Sequence, residues 1–269
     1  MRFESDCHMK LIDTHAHLAH GRLYQQVDAV LNRARDAGVV ATICAVGDLA
    51  ESKIALGLAR KYESQNVFWI TGIHPHEAKD AASDFVRILS ELYTKPRCVG
   101  IGEIGLDYHY DFSPRQQQQK VFADQLDVAK NLNATIVIHT REAFDDTMEI
   151  LRSSGVDGSK VIFHSFTGGE TEVRTVLDFG AAVSFSGIAT FKNASDIHQA
   201  AMLVPDDRIL IETDSPYLSP EPVRKMKPNE PANVAYVAEF LGQIRNTSSE
   251  NFAQQTTDNA IRLFNLNLL

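Results

Sequence analysis

His15 and His17 follow the apolar pair Leu11-Ile12, with one residue, Ala16, between them. In an extended chain, residues two apart point to the same side, so both imidazoles can reach one ion. Alone, such a pair is weak, because surfaces and cores produce it by chance. His139 directly follows Ile136-Val137-Ile138, and His164 directly follows Val161-Ile162-Phe163. A buried neutral imidazole needs a polar partner, and a shared metal satisfies all four more simply than four separate hydrogen-bond solutions. Two carboxylates extend the set: Glu103 after Gly100-Ile101-Gly102, and Asp214 after Ile209-Leu210-Ile211-Glu212-Thr213. Buried and unpaired, a carboxylate would protonate or destabilise the fold; beside divalent cations it stays ionised. Four imidazoles and two carboxylates supply enough donors for two ions sharing one carboxylate, with positions left for water and substrate. The competing reading is a buried salt-bridge network. Arg141 is the one cationic side chain at these positions, which makes that reading poor.

Other polar residues near these positions have lesser roles. In Gly72-Ile73-His74-Pro75-His76 the proline stiffens the turn. His74 is expected to support the centre or contact a phosphate, and His76 to point into the mouth or cap the next helix. Arg141 is expected to hold an anionic group or pair with an acid. Asp107 is expected to bond loop backbone, and Glu212 to face the helix layer or orient a histidine. His20, His109 and His198 read as solvated or loop residues.

Eight short β-branched runs must position these groups: residues 10–14, 39–46, 67–72, 98–103, 135–139, 160–164, 181–186 and 208–213. They recur roughly 30 residues apart, the spacing of strand–helix units in a parallel sheet. Helical patterns lie between them. Residues 24–37 place Val27, Val30, Leu31 and Ala34 on one face; residues 116–132, with Pro114 as the first helical residue, carry Val121, Phe122, Leu126 and Ala129 inward. A Pro-rich loop, residues 215–231, precedes two last helices, 232–245 and 250–264. Eight strands favour a closed α/β (β/α)8 TIM barrel with additional C-terminal helices over an open doubly wound sheet, and chemistry then belongs at the C-terminal strand ends. Gly100-Ile101-Gly102-Glu103-Ile104-Gly105 mimics a dinucleotide fingerprint, but its glycines straddle a strand end instead of opening a helix.

The chain of 269 residues suits one barrel domain over residues 10–269, behind a polar leader (1–9) that is flexible or precedes an alternative start at Met9. A net charge of −9 argues against tight, nonspecific coating of a polyanion. A local metal cluster can still attract a phosphate. Cys7, Cys44 and Cys98 form neither a disulfide framework nor a zinc knuckle. With no apolar signal core and no spanning segment, the expectation is a cytoplasmic protein with no membrane partner and no obligate protein partner.

The segments Ile12-Asp13-Thr14-His15-Ala16-His17-Leu18, Gly72 to His76, Gly102-Glu103-Ile104-Gly105-Leu106-Asp107-Tyr108, Val137-Ile138-His139, His164-Ser165-Phe166-Thr167-Gly168 and Glu212-Thr213-Asp214-Ser215-Pro216-Tyr217 together resemble the TatD family of metal-dependent deoxyribonucleases, of the amidohydrolase-like hydrolase group. The resemblance runs from about Lys10 to Phe264. It implies that His15, His17 and Asp214 hold one ion, that His139 and His164 hold a second, and that Glu103 bridges them. It also implies a DNA substrate, bound transiently with a small footprint and cut from the 3′ ends of single strands by a metal-activated water. In that chemistry Asp214 and Glu103 are catalytic, and His74, Arg141 and Asn229 touch substrate. Two divalent ions are implied, among zinc, manganese, magnesium, nickel and iron. Ser165 stands where many members have Cys, and residues 223–231 are a looser version of the family's Arg-Gly-x-x-Asn-x-Pro stretch, with Asn229 in place. The same residues also suit an acyl-ester hydrolase, such as a D-aminoacyl-tRNA deacylase. The reading of another class is a noncatalytic metal- or phosphate-binding module, which the complete donor set disfavours.

Overall fold

In the computed structural model, which describes residues 9–269, the apolar runs become eight parallel strands. They are β1 Leu11–Ala16, β2 Val39–Cys44, β3 Val67–Thr71, β4 Cys98–Asp107, β5 Ile136–Arg141, β6 Val161–Phe163, β7 Ala182–Phe185 and β8 Ile209–Ile211, hydrogen-bonded in sequence order. The α-helices are α1 Gly21–Tyr24, α2 Val27–Asp36, α3 Leu49–Lys61, α4 Phe85–Tyr93, α5 Arg115–Asn131, α6 Phe144–Ser154, α7 Glu170–Asp178, α8 Ser195–Leu203, α9 Val234–Ile244 and α10 Ser249–Phe264. The ring closes at its rim. Asp214 N–H donates to the His15 carbonyl at 2.9 Å and His17 N–H to that of Ser215 at 2.7 Å, beside an isolated parallel bridge between Ala16 and Ser215. The architecture is the (β/α)8 barrel with additional C-terminal helices.

Alternating strand residues fill the barrel. Ile12, Ile43, Ile70, Val137, Ile162 and Leu210 pack in one buried cluster with Phe264 and Leu266, so α10 and the tail seal the face opposite the strand ends. Burial of side chains this size contributes about 1.5–3 kcal/mol each relative to exposure. β4 contributes glycine here because there is no room: a Cβ on Gly102 would lie 2.6 Å from that of Val137. Gly105 has φ +144°, and a Cβ there would sit 1.9 Å from the His139 carbonyl oxygen. That glycine lets β4 run alongside β5 through Asp107, four residues beyond the expected end of the run.

Boundaries shift elsewhere. Of the 24–37 pattern, α2 takes Val27–Asp36 while Tyr24 ends the short α1 that begins at Gly21, and Pro114 occupies the N-cap of α5 instead of its first turn. β8 stops at Ile211 because Thr213 N–H bonds the Asp13 carboxylate, not a neighbouring strand. Residues 1–8 of the leader, with Cys7 and His8, lie outside the described residues. Among the described residues no helix is long and apolar enough to cross a membrane.

Candidate metal centre

β1 and β8 are stapled where they deliver their ligands. Asp13, fully buried, accepts from Thr213 Oγ1 at 2.6 Å, Thr213 N at 2.9 Å and His15 N at 3.2 Å. Burial pushes its carboxyl up to about 8, against the bonds from Thr213. Asp214 then turns off the strand with φ 52°, a left-handed conformation that a non-glycine residue holds only where its surroundings enforce it.

Glu103 is the hub. Its Oε2 lies 3.3 Å from His15 Nε2 and 3.7 Å from His17 Nε2; its Oε1 lies 2.7 Å from both His139 Nδ1 and His164 Nε2 and 3.4 Å from His74 Nε2. Asp214 Oδ1 is 3.5 Å from His17 Nε2. Ligands about 2.0–2.1 Å from a tetrahedral ion are roughly 3.3 Å apart, beyond most direct hydrogen bonds. The His15, His17, Glu103 and Asp214 contacts have that spacing. His15 makes the stronger case, because it is fully buried and neither ring nitrogen has a hydrogen-bond partner among the described residues. It stacks on His164 with centroids 4.1 Å apart, a position in which an ion shared with Glu103 would satisfy Nε2. Donor atoms within 4.8 Å of one another group as His15/His17/Asp214, His15/Glu103/His164 and His74/Glu103/His139, so the residues fit divalent metal.

Partners behind the imidazoles select their tautomers. Glu212 Oε1 accepts from His164 Nδ1 at 3.1 Å and from Ser165 N at 2.8 Å. Asp107 Oδ2 is 3.1 Å from His139 Nε2 and 2.8 Å from His76 Nε2, while its Oδ1 accepts from the backbone of His109 and Tyr110. His139 Nδ1 and His164 Nε2 lie at hydrogen-bond distance from Glu103. With the opposite nitrogens held by Asp107 and Glu212, they are the atoms that would give up a proton and offer lone pairs to an ion, the arrangement that orients and strengthens metal-ligating histidines. His74 is wired the other way. Its Nδ1 accepts from His76 N–H at 3.1 Å, so a neutral ring carries its proton on Nε2, facing Glu103 as a donor. His74, and not His76, caps the short helix Pro75–Asp80.

The charge states follow. Burial opposes an ionised Glu103, but His164, His74, His139 and His15 outweigh it and hold the carboxyl well below its ordinary range. Burial lowers His15, reinforced by His164, and brings His74 down to about 4. His164 goes up, because Glu103 and Glu212 overcome its burial.

The structure thus brings together His15, His17, Glu103, His139, His164, Asp214 and His74. Arg141 is exposed at the rim, its guanidinium 4.8 Å over the Tyr110 ring. Asn229 corrects the expectation of a substrate contact. It is fully buried; its Nδ2 donates to the carbonyls of Thr213 and Tyr217, and its Oδ1 accepts from Glu230 N and Asn233 Nδ2. No donor is left for a ligand, so Asn229 braces the loop that follows Asp214. Two buried glutamines were not singled out from sequence. Gln118 clamps both backbone groups of Asp107, and Gln125 does the same to Ile73. Their signal was present as amides among the inward-facing residues of α5.

A barrel with this donor set at its strand ends defines a metal-dependent hydrolase. The family model described as TatD related DNase matches residues 12–265, and the chain belongs to the TatD family of metal-dependent hydrolases, in the amidohydrolase-like superfamily. It is 38% identical to the metal-dependent hydrolase YabD of Bacillus subtilis, over 96% of this chain and 100% of that protein. It is 33% identical to the 3′-5′ ssDNA/RNA exonuclease TatD of Erwinia tasmaniensis, over 95% and 100%. The crystal structure of YJJV, a TatD homologue from Escherichia coli, superposes with a TM-score of 0.89 at 26% identity, covering 96% of this chain and 98% of that one.

Proposed function

We propose that this chain is a cytoplasmic deoxyribonuclease that hydrolyses phosphodiester bonds from the 3′ ends of single-stranded DNA. The observation that carries the reading is Glu103, whose two oxygens face two separate donor sets, His15/His17 and His139/His164. His15, His17 and Asp214 would hold one divalent ion and His139 and His164 the second, with Glu103 placed between the two sets. When bound, the ions supply the Lewis acidity that activates water and neutralises charge on a phosphoryl oxygen. Asp214, ionised among histidines, accepts the proton of the attacking water. His74 donates its Nε2 proton to a phosphoryl oxygen, as a neutral ring that burial keeps from charging. Arg141 meets the flanking phosphate at the rim. The Erwinia relative's activity on single strands supports the substrate class, and the buried, unpaired Cys44 is in keeping with a reducing compartment.

The test is a substrate panel. Protein stripped of metal and reloaded with manganese, magnesium, zinc, nickel or iron is assayed on single-stranded DNA, duplex DNA and D-aminoacyl-tRNA. Metal-dependent release of nucleotides from single-stranded 3′ ends is the expected result. Cleavage of the acyl ester with no phosphodiester cut under any metal would overturn the proposal.

A further inference from the structure

Two large aromatic side chains stand exposed beside the centre: Tyr110 at 47% and Phe112 at 55% of their surface. Their rings stack 5.2 Å apart at 21°, and the Arg141 guanidinium lies over Tyr110. Leaving half of each ring in water forgoes part of the stabilisation that burial would give. A floppy surface loop would not hold them parallel, and this loop is anchored at both ends. At one end Asp107 Oδ1 accepts from Tyr110 N at 3.0 Å. At the other, buried Ser113 donates to the His76 carbonyl at 2.7 Å, accepts from Lys79 N at 3.0 Å, and has its own carbonyl held by Gln118 at 2.9 Å. Asp107 is also the carboxylate that orients His139, so a single side chain registers the exposed stack against the donor set. His76 spans the gap, its ring 4.8 Å from Phe112 and 6.2 Å from His139.

We propose that Tyr110 and Phe112, flanked by Arg141, are a stacking platform for the unpaired nucleobase adjacent to the scissile phosphodiester. The proposal rests on the nuclease reading above and adds the element that selects single strands. Every base has a π face, so aromatic platforms bind single strands without reading sequence. A paired terminal base is already stacked on its neighbour and must first be unpaired, which opposes its binding. A guanidinium beside the rings can stack with them or meet the flanking phosphate.

The experiment compares three oligonucleotides of equal length: a single strand with a base at its 3′ residue, the same strand with an abasic tetrahydrofuran residue there, and a blunt duplex. Wild-type protein is expected to favour the base-bearing strand by about 10-fold or more in kcat/KM, chiefly through KM. In the Tyr110→Ala/Phe112→Ala double variant that preference should collapse toward one, and the single-strand to duplex ratio should fall with it. Tyr110→Phe with Phe112→Tyr keeps two rings and should keep the preference. A 3′-terminal 2-aminopurine on a phosphorothioate-linked strand should be quenched on binding the wild type and not the double variant. Metal content measured alongside reports an intact centre. Wild-type cleavage that ignores the missing base, or an alanine double variant that retains the full preference, overturns the platform and leaves the nuclease reading standing. Absence of phosphodiester cleavage by the wild type overturns the nuclease reading, and the platform with it.

Discussion

Asp107→Asn replaces one oxygen by an amide nitrogen and changes almost nothing else in shape. The two backbone N–H groups of His109 and Tyr110 need an acceptor, so the asparagine oxygen stays on the Oδ1 side and the new NH2 takes the place of Oδ2. There it faces His139 Nε2 at 3.1 Å and His76 Nε2 at 2.8 Å in the native geometry. An amide NH2 donates where the carboxylate accepted, so His139 Nε2 must become an acceptor and the ring proton moves to Nδ1. That nitrogen is the one 2.7 Å from Glu103, and its lone pair is lost to the ion. Loss of such an orienting partner costs about 10–100-fold in metal affinity, or roughly 1.4–2.7 kcal/mol. The loop clamp by Gln118 is untouched, so the fold should survive. Two measurements check this. Titration of the stripped protein with zinc should give one site near wild-type affinity and one weakened by the stated factor. Two-dimensional NMR of histidine side chains should show the His139 proton transferred from Nε2 to Nδ1. A variant that binds both ions at wild-type affinity, with the proton still on Nε2, would refute the wiring.

His74→Ala should lower kcat by roughly 10²-fold or more with metal content unchanged, as expected for a lost transition-state donor; loss of an ion would instead make His74 a ligand. Asn229→Ala leaves the carbonyls of Thr213 and Tyr217 and the N–H of Glu230 without their partner, each worth about 1–3 kcal/mol when buried. Its melting temperature should therefore fall by several degrees, whereas a KM defect at full stability would restore it as a substrate contact. Burial pushes the Cys44 and Cys98 thiols up to about 12. Because the folded values lie above the unfolded one, their contribution to stability is complete below about pH 9 and is lost as pH rises from there toward 12. Peptide mapping after iodoacetamide at pH 8 should find the fully buried Cys44 unmodified in the native state and labelled in urea. Finally, single-strand affinity should fall with salt at a log–log slope near −1, the signature of about one or two phosphate contacts at roughly 0.7 each; a slope of several units would point instead to an extended basic groove.

The strand ends were legible because apolar runs ending in His, Glu or Asp conflict with burial unless something joins them, and the conflict at His139 and His164 is plain in one dimension. The barrel was legible for a related reason: eight runs at regular spacing have few other ways to pair. What stayed hidden depends on which atom of a side chain faces what. Asp107 reads as a loop residue, and its backbone bonds are there; its second oxygen, on His139, depends on β4 passing β5 at Gly105. Asn229 sits in a motif-like stretch and invites a role with substrate, yet four hydrogen bonds to its own loop consume it. Gln118 and Gln125 look like ordinary helix formers until α5 docks and puts their amides against bare backbone.

Net charge sharpens the relation between the centre and the exposed rings. A chain of charge −9 with Glu103 and Asp214 ionised in its mouth repels a polyanion until cations occupy that mouth. The attraction they then exert fades over a Debye length of about 8 Å at physiological salt, which reaches one or two phosphates and no more. Any further hold on the strand must therefore come from groups indifferent to the surrounding negative charge. Stacked rings at the rim meet that requirement, and a longer basic track would not persist on this surface without offsetting its acidity. On the proposed function, weak hold on the polymer and an aromatic grip on one unpaired base would thus be two consequences of the same charge balance.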